Sequence, residues 1–584
     1  MTTLQQELGR RLAAALEQVL GAGHGGDPAV VAASDRRFGD YQSNVAMVLA
    51  KQVRRNPREL AGRLIGALDL AGVGSAEIAG PGFINFRVGA ECLAGRAAAM
   101  LGDARLGLPR TGAGRRVVVD FSAPNVAKPM HVGHIRSTII GDSLARVARA
   151  LGHEVITDNH IGDWGTQFGM ILHGWKTCRD EAALERDPVG ELVRVYREVN
   201  ERANGSPEVL EQCRQELVRL QQGDPANLEI WRRCVELSKA GLQRIYDRLD
   251  IRFDHWLGES WYNDRLGPLV DDFLARGLAR VSEGAVCVFS DGSLPPDDDP
   301  FRIHNEGGWT DNPMLIRKGD GGFLYATTDL ATLDFRLREW RADEVWYVVG
   351  APQQLHFRQV FAAARRWGRD AAFRHVAFGS ILGEDRKLMK TRSGRNVQLG
   401  EVLDEAVERA AAVVAEKNPA LDDGEAAAVA EVVGLGAVKF AELSQHRLTD
   451  YVFSWDRMLA LHGDTAPYLQ YSHVRIRSIF RRLDRPFDPA AAQLRLDAAE
   501  ELALARLLVR YPEVVPAVLD DFRPNLLAGH LLETARAFHA FFEACPVLKS
   551  AEPARSSRLV LCDLAARVIE RGLGLLGITC PEKM

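Results

Sequence analysis

Val117-Val118-Val119-Asp120-Phe121 leads, ten residues on, into His131-Val132-Gly133-His134, which opens an apolar stretch at helical spacing over 135–151. The first run predicts a buried strand and the last a helix. A strand that turns into a helix gathers backbone N–H groups and the positive end of the helix dipole at the turn. Two imidazoles there can donate hydrogen bonds to phosphate oxygens. Gly133 leaves no side chain where a flat base would lie. The stretch therefore predicts a nucleoside triphosphate site built without a Walker A loop. Residues 154–158 read as a second strand, so strand, helix and strand imply a parallel sheet. With 15 His and 53 Gly in 584 residues, His-x-Gly-His arises by chance about 0.03 times. Its surroundings must carry the assignment.

A chain of 584 residues exceeds one hydrophobic core and predicts two to four domains. Hydrophobic content of 46% and charged content of 26% fit a soluble globular protein. A net charge of −5 does not advertise nucleic-acid binding, although a basic face can sit within an acidic total. The eight cysteines include no Cys-x-x-Cys pair, which argues against a zinc or redox centre. Scattered thiols suit a reducing cytosol, hence a cytoplasmic protein. Met1 to Glu7 lacks a basic start followed by an apolar core, so no signal peptide is expected. No run of 18 apolar residues occurs, so no membrane span is expected.

Residues 1–110 read as a small α+β unit, with helices over 4–20 and 41–50, the latter entered by Phe38-Gly39-Asp40, and a turn and strand over 80–88. A Gly- and Arg-rich linker follows at 102–116. Residues 111–449 read as a Rossmann-like, doubly wound parallel sheet. A helical, charged insertion at about 163–320 interrupts it. The sheet resumes with a strand over 344–349, a helix over 357–367 and a strand near 376–381. Residues 450–584 read as all-α. The fold class is thus α/β with a small α+β unit before the sheet and a helical unit after it.

Ligands of doubly wound sheets bind beyond the carboxyl ends of the strands, and Asp120, Asn125 and Lys128 fall there. A carboxylate, an amide and an ammonium in one crevice suit a zwitterionic substrate beside a polyphosphate. Tyr325 and Asp329 stand four apart, on one face if helical, where a phenol and a carboxylate can clasp a guanidinium. Lys387-Leu-Met-Lys-Thr-Arg-Ser-Gly394 is a small-residue basic loop able to close on phosphates and neutralise charge that grows during phosphoryl transfer.

These motifs together resemble the class I aminoacyl-tRNA synthetases and, within them, the arginyl-tRNA synthetase family. His131-Val-Gly-His134 matches the HIGH signature, and Met389-Lys-Thr-Arg-Ser-Gly394 a variant of the KMSKS signature. The stretch Ser122 to Asp142 resembles the arginine enzymes closely. Asn159 to Gln167, Gln353-Gln-Leu-His356, Asp464 to Arg475 and the terminal Pro581-Glu-Lys-Met584 extend the likeness along the whole chain. Small adenylyltransferases also carry His-x-Gly-His but lack the long helical C-terminal region.

The resemblance implies ATP-dependent ligation of L-arginine to tRNA(Arg). His131 and His134 would hold phosphates, with Mg²⁺ sharing their charge and no zinc. Gly133, Met389, Lys390, Thr391 and Arg392 would complete the ATP site. Asn125 and Gln353 would hold the amino and carboxylate end of arginine, and Asp120, Tyr325 and Asp329 its guanidinium. Thr391 stands where the usual signature has its second Lys. Lys128, just before the histidines, is the expected substitute, with Lys387 and Lys390 as alternatives. The helical unit would bind the anticodon through Arg475, Arg477 and Arg481 and an aromatic such as Tyr468, with Tyr471, Phe538 and Phe541 as further candidates. The N-terminal unit would touch the tRNA elbow through Phe38 and Asn85. No editing domain is implied, the insertion would serve the acceptor stem, and a monomer is expected.

Overall fold

The computed structural model describes residues 2–21, 27–383, 397–460, 462–489 and 492–584. Helix α1 (Leu4–Leu20) starts at a capping box formed by Thr3 and Gln6 and buries Leu4, Leu8, Leu12, Ala15 and Leu16, one apolar stripe at helical spacing. Strands β1 (Val30–Ala32) and β2 (Tyr41–Ser43), helices α2 (Val45–Ala50) and α3 (Pro57–Ala67), strands β3 (Gly74–Ala79) and β4 (Phe83–Val88) and helix α4 (Ala90–Leu101) complete the first unit. Its antiparallel sheet has the order β1-β2-β4-β3. The helix expected over 41–50 forms only from Val45. Tyr41 to Ser43 pair instead with Phe86, Asn85 and Ile84 of β4, because alternating burial of Tyr41 and Ser43 satisfies a strand, whereas local spacing could not show the partner.

The second unit is built on β5 (Arg116–Asp120), α5 (Gly133–Ala150) and β6 (Glu154–Asp158). Val117, Val118 and Val119 are each fully buried, as in a parallel sheet covered on both faces. Helix α5 lies directly on the sheet: a Cβ at Gly141 would meet the Phe121 ring at 2.2 Å. Helices α6 (Gln167–Thr177), α7 (Glu181–Arg186), α8 (Pro188–Gly205), α9 (Pro207–Gln221), α10 (Pro225–Arg248) and α11 (Asn263–Ala275) follow. Strands β7 (Arg280–Ser282) and β8 (Ala285–Val288), the hairpin β9 (Arg302–Asn305) and β10 (Gly308–Asp311), and β11 (Met314–Arg317) come next. Helix α12 (Tyr325–Arg338) returns the chain to the parallel sheet at β12 (Glu344–Tyr347), followed by α13 (Gln354–Arg366) and β13 (Ala372–His375).

All four strands are parallel, in the order β13-β12-β5-β6. Register sets Tyr347 of β12, Asp120 of β5 and Asp158 of β6 side by side at the carboxyl ends. The strand expected near 376–381 does not form there: β13 ends at His375 and a short β14 (Ile381–Leu382) begins only at the last expected residue, because pairing with neighbouring strands, not local spacing, sets the ends.

Helices α14 (Leu399–Lys417) and α15 (Asp423–Leu443) precede β15 (Tyr451–Val452), which pairs in parallel with β14. A strand pair therefore reaches slightly past the expected limit of 450. The last unit holds α16 (Trp455–Met458), α17 (Ala466–Arg481), α18 (Ala499–Asp520), α19 (Pro524–Ala544) and α20 (Ala554–Leu575). Among the described residues, no helix is long and apolar enough to cross a membrane.

Candidate active site

The His-x-Gly-His turn lies beyond the end of β5 and passes directly into α5. The two imidazole centroids are 4.0 Å apart. Each ring is fixed through Nδ1: the Gly133 N–H donates to Nδ1 of His131 at 3.1 Å, and the His131 N–H donates to Nδ1 of His134 at 3.2 Å. An imidazole whose Nδ1 only accepts carries its proton on Nε2, as in His131, whereas His134 Nδ1 also lies 3.3 Å from the His131 carbonyl oxygen. Burial, reinforced by the charge of His131 beside it, pushes the pKa of His134 down to about 4. Burial, with the ammonium of Lys128, lowers that of His131. At neutral pH both rings are thus neutral, and His131 keeps an Nε2–H free to donate. Gly133 is exposed between them, and a Cβ there would stand 2.8 Å from Cε1 of His131. The turn is pinned to the chain beyond β14: Val132 N–H donates to Val397 O, and Leu399 N–H to Met130 O.

Asn125 is exposed at the strand tip, where its segment bridges Gly162. Lys128 is exposed, and its Nζ lies 5.7 Å from the centre of the Tyr196 ring on α8. Met389, Lys390, Thr391, Arg392 and Lys387 lie outside the described residues.

Tyr325 and Asp329 do share a helix, at the start of α12. Tyr325 is 74% exposed. Asp329 accepts a hydrogen bond from His356 Nε2 of α13 at 2.5 Å. Burial opposes a charge on His356, but that hydrogen bond and the negative charge outweigh it and hold its pKa above the ordinary value. Gln353 is exposed on the turn before α13.

Asp120 departs from expectation. Its carboxylate is buried and holds a guanidinium belonging to the chain itself: Arg336 Nη2 donates to Asp120 Oδ2 at 2.7 Å and to Asp158 Oδ2 at 2.8 Å. Burial raises the pKa of Asp120 against the pull of Arg336. The strand tip could be read from the sequence, but the partner comes from a helix 216 positions away.

Several other groups at the site had no clear signal in the sequence. His356 was visible only as part of a motif. Glu259 sits among His160, Asp163 and Asp329, and burial lifts its pKa to about 7. Arg136, two residues after His134, is fully buried and donates to Glu442 Oε1 at 2.5 Å.

The residues expected to meet tRNA divide sharply. Phe38 is exposed and Tyr468 half-buried. Arg475 lies over the Phe542 ring, with Cζ 4.9 Å from its centre. Arg481 donates to the Glu582 carbonyl. Arg477 is taken up by Asp563 and Glu570. Asn85 is buried within β4, because its position in the register turns it away from solvent. Phe538 and Phe541 are fully buried core, whereas Tyr471 is 40% exposed.

Neutral imidazole donors at the tip of a parallel sheet, followed by a helical unit, define the chain as a class I aminoacyl-tRNA synthetase. The family described as tRNA synthetases class I (R), catalytic domain, matches residues 97–455. The chain belongs to the arginyl-tRNA synthetase family. The arginyl tRNA synthetase N terminal domain matches residues 6–88, and the DALR anticodon binding domain residues 469–584. The arginine–tRNA ligase of Thermobifida fusca is 44% identical over 592 aligned positions, covering 100% of both chains. Crystal structures of the arginyl-tRNA synthetases of Plasmodium falciparum and Thermus thermophilus superpose over 100% of each chain, with TM-scores of 0.84 and 0.81, each at 26% identity.

Proposed function

We infer that the chain attaches L-arginine to tRNA(Arg) at the expense of ATP. A carboxylate oxygen of arginine attacks the α-phosphorus, the bond to the bridging oxygen breaks, and pyrophosphate leaves. The terminal ribose 2′-hydroxyl of tRNA then attacks the carbonyl of arginyl-adenylate, and AMP leaves. The observation that carries this reading is the imidazole pair, each ring held through Nδ1 with its Nε2 edge left free. Donors already aimed where charge grows need no reorganisation at the transition state.

In this reading His131 and His134 grip the phosphates, Gly133 lets the base approach, and Met389, Lys390, Thr391 and Arg392 close over the triphosphate. Lys128 supplies the charge that Thr391 lacks, a reading supported by the pull of its ammonium on His131. Asn125 and Gln353 hold the amino and carboxylate groups of arginine. Tyr325 and Asp329 take its guanidinium, with Asp120 beneath. Mg²⁺ enters with ATP, and no zinc is required. Residues 450–584 meet the anticodon, 111–449 carry the chemistry and 1–110 meet the tRNA elbow. The enzyme works as a cytoplasmic monomer.

ATP–pyrophosphate exchange across the twenty amino acids, with and without tRNA, tests this. Exchange with arginine alone among the twenty is the expected result, and no exchange with arginine under either condition overturns it. Lys128→Ala is expected to slow adenylate formation by about tenfold or more, as loss of a charged contact to the transition state does. A change smaller than twofold removes Lys128 from the mechanism.

A further inference from the structure

Behind the expected arginine pocket lies a buried charge cluster of which the reaction as described uses only Asp120. Asp120 and Asp158 stand opposite one another in register on β5 and β6. Arg336 bridges them through one nitrogen, and all three side chains are 5% exposed or less. The Arg336 Cζ lies 5.2 Å from the centre of the Tyr347 ring, and Tyr347 is the residue of β12 opposite Asp120. Among the described residues, Arg336 Nε and Nη1 and the hydroxyls of Tyr262 and Tyr347 are buried without hydrogen-bond partners. His160, Tyr262, Tyr347 and Asp158 are the ionisable groups that face Asp120 and Arg336, and Asp329 faces Tyr347.

Two facts give the cluster its meaning. Arg336 lies on α12 seven residues after Asp329 and eleven after Tyr325, so it anchors to the strand tips the same helix that presents those two groups. Its single charge against two carboxylates leaves one negative charge beneath the pocket. Asp120 Oδ1 accepts no hydrogen bond from a described residue, Oδ2 being the atom that Arg336 takes.

We propose that Arg336 is a positioning residue for substrate selection: it docks α12 onto β5 and β6 and trims the Asp120–Asp158 pair to one net negative charge, the complement of one guanidinium. The inference rests on the arginine-activating reading above. A buried carboxylate pair without its cation cannot stay doubly ionised, and one member takes up a proton near neutrality. An Arg without a buried carboxylate pair to hold would serve the fold alone.

The test uses the full-length enzyme in tRNA-supported exchange and separates KM for arginine from KM for ATP. Arg336→Gln frees α12 from the strand tips and is expected to raise KM for arginine about tenfold or more and leave KM for ATP within about twofold, while the proton that replaces the guanidinium makes KM for arginine vary with pH between about 6 and 8. Arg336→Lys, which keeps the charge but lacks the fork, is expected to lie between wild type and the Gln variant. Asp158→Asn keeps Arg336 and Asp120 paired and serves where Arg336→Gln does not fold. It is expected to weaken arginine by about tenfold while inhibition by citrulline, the neutral counterpart, stays unchanged. Folded variants whose two KM values move together, or whose KM for arginine does not move, overturn the proposal. Loss of arginine exchange in the wild-type enzyme would instead overturn the functional reading.

Discussion

At the scale of the residue, burial keeps His134 neutral in the free chain. Its folded pKa of about 4 lies below the ordinary imidazole value. The linked stability is therefore complete above about pH 6.5 and is lost as pH falls toward 4, where the unfolded chain takes a proton that the folded chain refuses. Triphosphate on Nε2 reverses the balance by favouring imidazolium. ATP binding at pH 6 is expected to take up protons, seen by titration calorimetry in buffers of different ionisation enthalpy; His134→Asn should abolish most of that uptake and slow adenylation about a hundredfold or more. Asp329 makes a second test. It already holds His356, so Asp329→Asn removes a charged partner from substrate and histidine together. KM for arginine should rise by between about tenfold and a hundredfold, and in exchange assays KM for ATP should not.

At the scale of the element, α5 does more than present the histidines. Arg136 runs from α5 to Glu442 on α15, donates to the Thr449 carbonyl, and lies against the rings of Phe378 and Tyr451. Tyr451 is in β15, which pairs with β14, so the same side chain braces that strand pair. Both members of the ion pair are fully buried. Removing one leaves an uncompensated charge and costs about 3–5 kcal/mol, whereas replacing both by apolar groups costs less. Thermal melts should therefore show Arg136→Met and Glu442→Gln each less stable than the double variant Arg136→Met/Glu442→Met. Local pattern read α1 and β6 to both of their ends because their apolar spacing is intact. It read 41–50 as one helix because the strand character of Tyr41–Ser43 depends on β4, about forty residues away.

At the scale of the whole molecule, the first and last units are joined by polar contacts. Tyr41 Oη and the Gln5 N–H donate to Glu513 of α18, and Arg506 pairs with Asp40. Lys439 of α15 sits where three parts of the chain meet. It is buried and donates to the carbonyls of Leu249, after α10, and of Gly577, after α20. Burial, opposed in part by Asp142, lowers its pKa to about 8. Between pH 8 and about 10.5 the unfolded chain holds a proton that the folded chain has lost, so stability rises with pH across that window, by about 3 kcal/mol at most. Lys439→Met should flatten that rise in melts taken across the window. Binding of tRNA spread over units joined in this way should weaken linearly with the logarithm of salt concentration, as filter binding or anisotropy would show.

The sequence alone determined what neighbours along the chain decide. A triad of valines ending in Asp120, a glycine between two histidines, and a carboxylate one helical turn from a phenol each carry their meaning within a few residues. That was enough for the fold class, the histidine turn and the arginyl-tRNA synthetase resemblance. Only the tertiary structure decided which charges meet. Asp120 faces Arg336 because sheet register and the packing of α12 bring them together, Arg477 is spent on Asp563 and Glu570, and Asn85 is turned inward by strand pairing. Side-chain partners are chosen by elements folding against one another, and no local spacing encodes the carboxylate that a distant guanidinium will find.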